Sequence, residues 1–165
     1  MLIGNCGTGK STLAAMLGTR LDIPVIHLDK LRFRAGWKEI DNNTFLFRLQ
    51  EEMNKNPKWI MDGNYSSSMD FRAGLADTII FLKAPLFISY IRILKRRLMY
   101  AKKQRPDVPE ECPENLNWEM LKWIWSYKKR ASSRTEALIQ KYKDSKNIII
   151  LDSLKKVKLF ILSLS

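Results

Sequence analysis

Short apolar runs alternate with longer amphipathic ones along this chain. Residues 1–3, 25–28, 59–61, 78–82 and 148–151 are apolar, mostly β-branched or aromatic, and short. Runs of that length and composition predict buried parallel strands. The segments between them carry helical spacing. Residues 10–21 place Leu13, Met16 and Leu17 on one face, and 43–55 do the same with Leu46, Leu49 and Met53. Residues 86–100 do so with Tyr90, Ile91, Leu94 and Leu98, and 115–142 read as a long helical stretch broken near Ala131-Ser132-Ser133. Strands alternating with helices predict an α/β fold with right-handed crossovers. Turn signals fall at the breaks, with Asp22 and Pro24 before the second strand and Asn56-Pro57 after the second helix. Ser66-Ser67-Ser68-Met69-Asp70 reads as a helix start, with Ser67 and Asp70 as a capping-box-like pair.

Residues 101–113 hold Pro106, Pro109 and Pro113 and have no core pattern, so they read as a loop or lid rather than a second domain. The expectation is a single domain over residues 1–165 with a basic lid at approximately 97–118. A central strand usually has about five or six residues. Only three precede Gly4, so the natural chain is expected to begin before Met1.

Composition excludes several classes. With 45% apolar and 28% charged residues, the 165-residue chain has a globular balance. No apolar run approaches the ~18–20 residues of a membrane helix, and no secretory leader is seen. Two cysteines, Cys6 and Cys112, make neither a disulfide framework nor a four-cysteine zinc site, which fits a reduced, cytoplasmic compartment. Charge changes the picture more. Residues 89–143 hold 14 of the 29 basic residues and only 6 of the 17 acidic ones, a net +8 of the total +12. A positive field so concentrated implies a polyanionic partner.

Gly4-Asn5-Cys6-Gly7-Thr8-Gly9-Lys10-Ser11 matches G-x-x-x-x-G-K-[ST], after an apolar strand and at the head of an amphipathic helix. Glycines let consecutive N–H groups point inward, and the helix N-terminus favours an anion. Gly4 to Thr12 are therefore the expected nucleotide-binding segment, with Lys10 on the β- and γ-phosphates and the Ser11 hydroxyl on Mg²⁺. Cys6 reads as a small loop residue, not a nucleophile.

Ligands in parallel α/β sheets bind beyond the carboxyl ends of the strands. Two expected strands run into aspartate there, Asp29 and Asp62. One such carboxylate suits the Mg²⁺ shell and the other an acceptor hydroxyl. His27, inside its apolar run, reads as a core or sheet-face residue rather than a base.

Arg92, Lys95, Arg96, Arg97, Lys102, Lys103 and Arg105 are uninterrupted by any acid, and Lys128, Lys129, Arg130 and Arg134 follow. Flanking a proline-rich loop, they suit lid cations that close over phosphates. Trp118, Trp123, Trp125 and Tyr127 interleave with lysines, a pattern that also suits stacking on bases. Their spacing with Leu121 and Ile124 makes packed aromatics the expectation. Between Asp29 and Asp41, Arg32, Arg34 and Trp37 are candidates to hold a phosphorylated or planar acceptor, together with Arg72.

These motifs together carry a family resemblance. The chain resembles the P-loop proteins called DNA topology modulation proteins, which are similar to adenylate kinase and other small-molecule kinases. The resemblance spans almost the whole chain. It rests on Gly4 to Ser11, His27-Leu28-Asp29-Lys30 with Gly36-Trp37, and Trp59-Ile60-Met61-Asp62-Gly63-Asn64-Tyr65. It continues through Ala76 to Leu82, Leu94-Lys95-Arg96-Arg97, Arg105-Pro106-Asp107, Cys112-Pro113-Glu114 and Trp118 to Trp125. It implies a three-layer P-loop NTPase fold, a five-stranded parallel sheet in order 2-3-1-4-5 with helices on both faces, a lid after the fourth-strand helix, and ATP and Mg²⁺ binding. Asp62-Gly63 looks like the aspartate–glycine pair after the third strand of adenylate kinase. Asn64-Tyr65 replace the phenylalanine–proline–arginine that follows there, which puts AMP as the acceptor in question. Lys83-Ala84-Pro85-Leu86 and the apolar ending after Lys158 also depart from the family pattern.

The sequence thus predicts an ATP-dependent phosphotransferase of the nucleoside/nucleotide-kinase type. Ser11 and Asp62 organise Mg²⁺, Asp29 positions or deprotonates the acceptor, and Arg96, Arg97 and Arg130 supply charge. Asn64 and Tyr65 join the acceptor set. The competing expectations are an ATP-regulated DNA-binding protein, with weak nonspecific nucleic-acid affinity, and an ATPase or nucleotide sensor.

Overall fold

A computed structural model describes residues 1–101, 103–113, 118, 121–122, 124–126 and 132–164. Five parallel strands form the sheet: β1 (Leu2–Gly4), β2 (Val25–His27), β5 (Ile60–Asp62), β6 (Thr78–Leu82) and β7 (Asn147–Leu151), in order β2-β5-β1-β6-β7. Counting these five strands alone, the order is 2-3-1-4-5. The extra numbers belong to a small antiparallel hairpin, β3 (Phe33–Arg34) and β4 (Lys38–Glu39). The hairpin is not among the five strands that the sequence pattern predicts. Its two-residue strands are too short to leave a period, and its turn is forced by positive φ at Gly36 and Trp37.

Strand alternation sorts the core into two faces. Ile3, Met61, Ile79 and Phe81 point to one side, where Phe45 and Leu49 of α3 (Asn42–Lys55), Ala73 of α4 (Ser66–Leu75) and Leu138 of α6 (Ser132–Tyr142) cover them. Leu2, Ile60, Ile80 and Leu82 point to the other. There they meet Leu13, Ala14 and Leu17 of α1 (Lys10–Leu21) and Val157, Phe160 and Ile161 of α7 (Leu154–Leu162). The result is a three-layer α/β arrangement, with a helical layer on each face of the parallel sheet. Phe45 and Leu49 are fully buried, and each such side chain contributes about 1.5–3 kcal/mol.

The remaining helices are α2 (Leu28–Arg32), directly after β2, and α5 (Leu86–Met99), after β6. Helix α3 is capped by Asp41, whose carboxylate accepts from the Thr44 amide at 2.9 Å. The capping pair expected at Ser67 and Asp70 does not form. Tyr65 occupies the N-cap position without a side-chain cap, and Asp70 instead accepts from Lys141. Of the expected helical stretch 115–142, the greater part of 115–131 lies outside the described residues. Trp118 and Trp125 are 69% and 68% exposed, against the expectation of packed aromatics. Ile124 takes the burial instead, and Lys122 sits over the Trp118 ring. No described helix is long and apolar enough to cross a membrane.

Candidate active site

The carboxyl ends of β1, β2, β5 and β6 open into one cavity of about 1550 Å³. The cleft is open, and it also runs past the end of β7 to Leu154 and Val157 of α7.

One end is the loop between β1 and α1. Gly4 has φ +147°, and a Cβ there would collide with the Leu82 carbonyl, so only glycine fits beside β6. Asn64 clamps the same residue on both sides. Its Oδ1 accepts from the Gly4 amide at 3.0 Å and its Nδ2 donates to the Gly4 carbonyl at 2.6 Å. The loop's own side chains brace it further. Thr8 Oγ1 and Lys10 Nζ donate to the Asn5 carbonyl at 2.8 and 2.9 Å, and Asn5 Oδ1 accepts from the Cys6 amide. Arg92 donates to the Thr8 carbonyl at 2.6 Å from α5. Cys6, Gly7, Thr8, Gly9, Lys10, Ser11 and Thr12 line the cavity, while Gly4 and Asn5 lie buried behind it.

Two carboxylates face this cavity from adjacent elements and titrate in opposite directions. Burial alone would raise Asp62. The His27 Nδ1–H bond at 3.1 Å, the Lys10 cation and the Ser11 hydroxyl outweigh it and hold Asp62 below the usual carboxylate range. His27 and Asp62 are register partners across β2 and β5, so their side chains leave the same face. Asp29, in the first turn of α2, is pushed up by burial, with Asp62 and Asp107 adding to the rise. The Tyr65 hydroxyl, which donates to Asp29 Oδ1 at 2.6 Å, offsets part of it. Burial and the Asp29 carboxylate push the Tyr65 phenol up in turn.

A third carboxylate, from the proline-rich segment, is absent from the sequence-derived set. Asp107 lines the cavity and is bound bidentately by Arg105, itself only 7% exposed. Burial would raise Asp107, but Arg105 and the nearby Ser11 hydroxyl bring it below its ordinary value. The same segment grips the hairpin. Cys112 Sγ accepts from the Trp37 amide at 3.3 Å and donates to the Arg34 carbonyl at 3.4 Å, and Trp37 Nε1 donates to the Pro113 carbonyl at 2.9 Å.

The other expected residues divide. Arg32, Trp37, Asn64, Tyr65 and Arg96 line the cavity; Arg34 and Arg97 do not. Arg34 is exposed. Arg130 lies outside the described residues. Arg72 does not face an acceptor. It is 0% exposed and donates to Ser68 Oγ and to the carbonyls of Gly63, Asn64 and Tyr65, with burial lowering it to about 10. It therefore shapes the turn that presents Asn64 and Tyr65. His27 lies on a face of the sheet, as expected, and is a half-buried partner of Asp62 at the cavity edge.

No family model matches the chain, and no curated protein matches it. Among solved structures it is similar to a deoxyadenosine kinase from M. mycoides with bound dCTP, with 13% identity over 99% of this chain and 96% of that one and a TM-score of 0.48. The same kinase with the products dCMP and a flexible dCDP bound gives 13%, the same two coverages and a TM-score of 0.49.

Proposed function

We propose that this chain is an ATP-dependent phosphotransferase, moving the γ-phosphoryl group of MgATP to a hydroxyl of a small acceptor, in the manner of nucleoside and nucleotide kinases. The carrying observation is the convergence on one cavity of a complete phosphate loop and two carboxylates with opposed titration, Asp62 and Asp29. Such opposed pairs mark acid–base division of labour.

Gly7, Gly9 and the head of α1 hold the donor phosphates by backbone N–H groups, and Lys10 leaves the Asn5 carbonyl for them. Ser11, Asp62 and Asp107 present only hard oxygen donors, a set that fits Mg²⁺. When bound there, the metal neutralises phosphate charge. Asp29 orients the acceptor. Tyr65 occupies Oδ1, leaving Oδ2 to take the hydroxyl proton as that oxygen bonds to the γ-phosphorus and the bond to the ADP oxygen breaks. An aspartate raised toward neutrality suits this task better than one at its ordinary value. Arg96 at the cavity wall supplies charge, and Arg97 and Arg130 belong to the same basic region. The motif resemblance to DNA topology modulation proteins is consistent with this reading and is part of it.

The experiment is ATP-to-ADP turnover with Mg²⁺ against nucleosides, nucleoside monophosphates and small hydroxylated metabolites, with Lys10→Ala as the blank. Acceptor-dependent turnover that vanishes in the blank supports a kinase. Slow turnover indifferent to every acceptor supports a nucleotide-regulated binder instead. The exposed Trp118, with Lys122 over its ring, and the exposed Trp125 favour single-stranded nucleic acid as the ligand for that second reading.

A further inference from the structure

Helix α5 buries one face and leaves an apolar one outside. The inward face has its partners: Ser89 and Ile93 are buried, and Arg92 donates to the Thr8 carbonyl of the phosphate loop. The outward face does not. Phe87, Ile91, Leu94 and Leu98 are 62%, 59%, 53% and 73% exposed. At 3.6 residues per turn they fall within a band about 60° wide, on the side away from Ser89 and Ile93. None of the four lines the cavity, whereas Arg92, Lys95 and Arg96 of the same helix do.

A contiguous apolar stripe on a solvent face marks an interaction surface, and its spacing selects the partner. Intervals of four, three and four residues are those of a helix–helix seam. A helix face that packs on a domain core is wider, about 100° or more, and a helix lying on lipid likewise presents a broad apolar face. The intervals also read the same in both directions. Two copies of α5 related by a two-fold axis and running antiparallel set Phe87 opposite Leu98 of the partner subunit and Ile91 opposite Leu94 of the partner subunit. Every member of the stripe then meets another member, as an isologous contact requires.

Charge selects the same arrangement. Residues 86–91 are uncharged, and all four cations of α5 follow Ile91. Parallel pairing brings the two cationic halves side by side. Antiparallel pairing sets each cationic half beside an uncharged one and opposes the helix dipoles. We propose that the chain pairs with a second copy of itself through an antiparallel α5–α5 seam, which leaves the cavity open on the other face of the helix. The inference is independent of the chemistry performed in the cavity. The seam is about 17 Å long, and a single helix pair buries less than the ~800 Å² per partner of a standard interface. The dimer is therefore a weak, concentration-dependent one.

The test is sedimentation equilibrium of the full chain over roughly 1–200 µM in about 0.5 M salt, which suppresses association through polyanions. A monomer–dimer equilibrium with a Kd of about 10–50 µM is expected. Ile91→Lys and Leu94→Glu should each weaken it about tenfold or more, because each buries a charge against an apolar side chain. Both positions are exposed, so the melting temperature of each variant should stay close to that of the wild type. An equimolar mixture of the two variants should recover a dimer near the wild-type Kd. Only antiparallel pairing brings the two substituted positions face to face as an ion pair. A wild-type chain that stays monomeric over this range overturns the proposal, whether or not the variants fold. A dimer indifferent to both substitutions, or one lost in both and not recovered in the mixture, overturns it too. Binding of the wild-type chain to phosphatidylserine vesicles, without dimerisation and lost in Leu94→Glu, would overturn it by assigning the stripe to a membrane surface.

Discussion

The two ends of the cavity are built by different means. The donor end is local: Gly4 to Ser11 are consecutive, and the groups that meet phosphate are mainly backbone N–H. The acceptor end is assembled from distant parts. Tyr65 reaches Asp29 across 36 positions, and Cys112 reaches Trp37 across 75. The carboxylates follow the same division. Asp62, beside Lys10 and Ser11, is held low, and Asp29, with Asp62 and Asp107 as acidic neighbours, is held high chiefly by desolvation. Linkage gives the two opposite consequences for stability. Asp62 contributes stability present above the ordinary aspartate value and lost as pH falls through its depressed pKa. The contribution of Asp29 is full below the ordinary value and is lost as pH rises through its raised pKa. Keeping Asp29 ionised at neutral pH therefore costs folding free energy, and keeping Asp62 ionised does not.

The largest expected effect breaks the donor end. Lys10→Ala removes the one side-chain cation of the phosphate loop, and turnover should fall roughly a thousandfold or more, with weaker MgATP binding and an unchanged circular dichroism spectrum. Next, Asp29→Asn should cost about 10²–10⁴ in kcat while raising the melting temperature at neutral pH, because a neutral amide carries no desolvated charge. An inactive but more stable variant separates a functional carboxylate from a structural one. In the wild type, the acid limb of kcat/KM should lie above the ordinary aspartate range; a limb at or below it would remove Asp29 as the base.

Asp62→Asn should lower turnover too, but its stability change has the other sign. It should destabilise the protein above the ordinary aspartate value, by about 1–3 kcal/mol for the loss of a charged hydrogen-bond partner of His27. The penalty should shrink as the wild-type carboxylate is itself protonated. Melting curves of both variants against pH test the contrast directly. Parallel rather than opposed profiles would mean that the two aspartates share one environment.

How far the sequence reveals this arrangement follows the same line. The phosphate loop is legible because its residues are consecutive and each spacing has a backbone cause. Asp29 and Asp62 are legible because strand ends in a parallel sheet point to one edge. Pairs that depend on long closure are not: nothing in spacing joins Arg105 and Asp107 to Ser11, or Cys112 to the turn at Gly36-Trp37. Arg72 misleads for a related reason. A cation in the right helix reads as a ligand group, and only the three carbonyls around it show that it is tied to the chain. The hairpin β3–β4 had one local signal, the glycine at 36 between two short polar–aromatic runs.

The smallest effect is expected at Cys112, and it sharpens the comparison most. Cys112 is buried, with its sulfur between the Trp37 amide and the Arg34 carbonyl. Trp37 holds φ +59°, a conformation that costs a bulky residue about 1–3 kcal/mol and persists only where neighbours enforce it. Cys112→Ala removes the sulfur, leaves both backbone groups short of a partner and lets the turn relax. Roughly 1–2 kcal/mol of stability should be lost, and the KM for the acceptor should rise about three- to tenfold as the Trp37 ring loses its position. The Kd for MgATP should not move, because the turn makes no contact with the phosphate loop among the described hydrogen bonds. Yet the segment that carries Cys112 also carries Asp107 beside Ser11. An equal shift in MgATP affinity would therefore show that this segment transmits strain between the two ends, and that donor and acceptor sites form one cooperative unit rather than two separable ones.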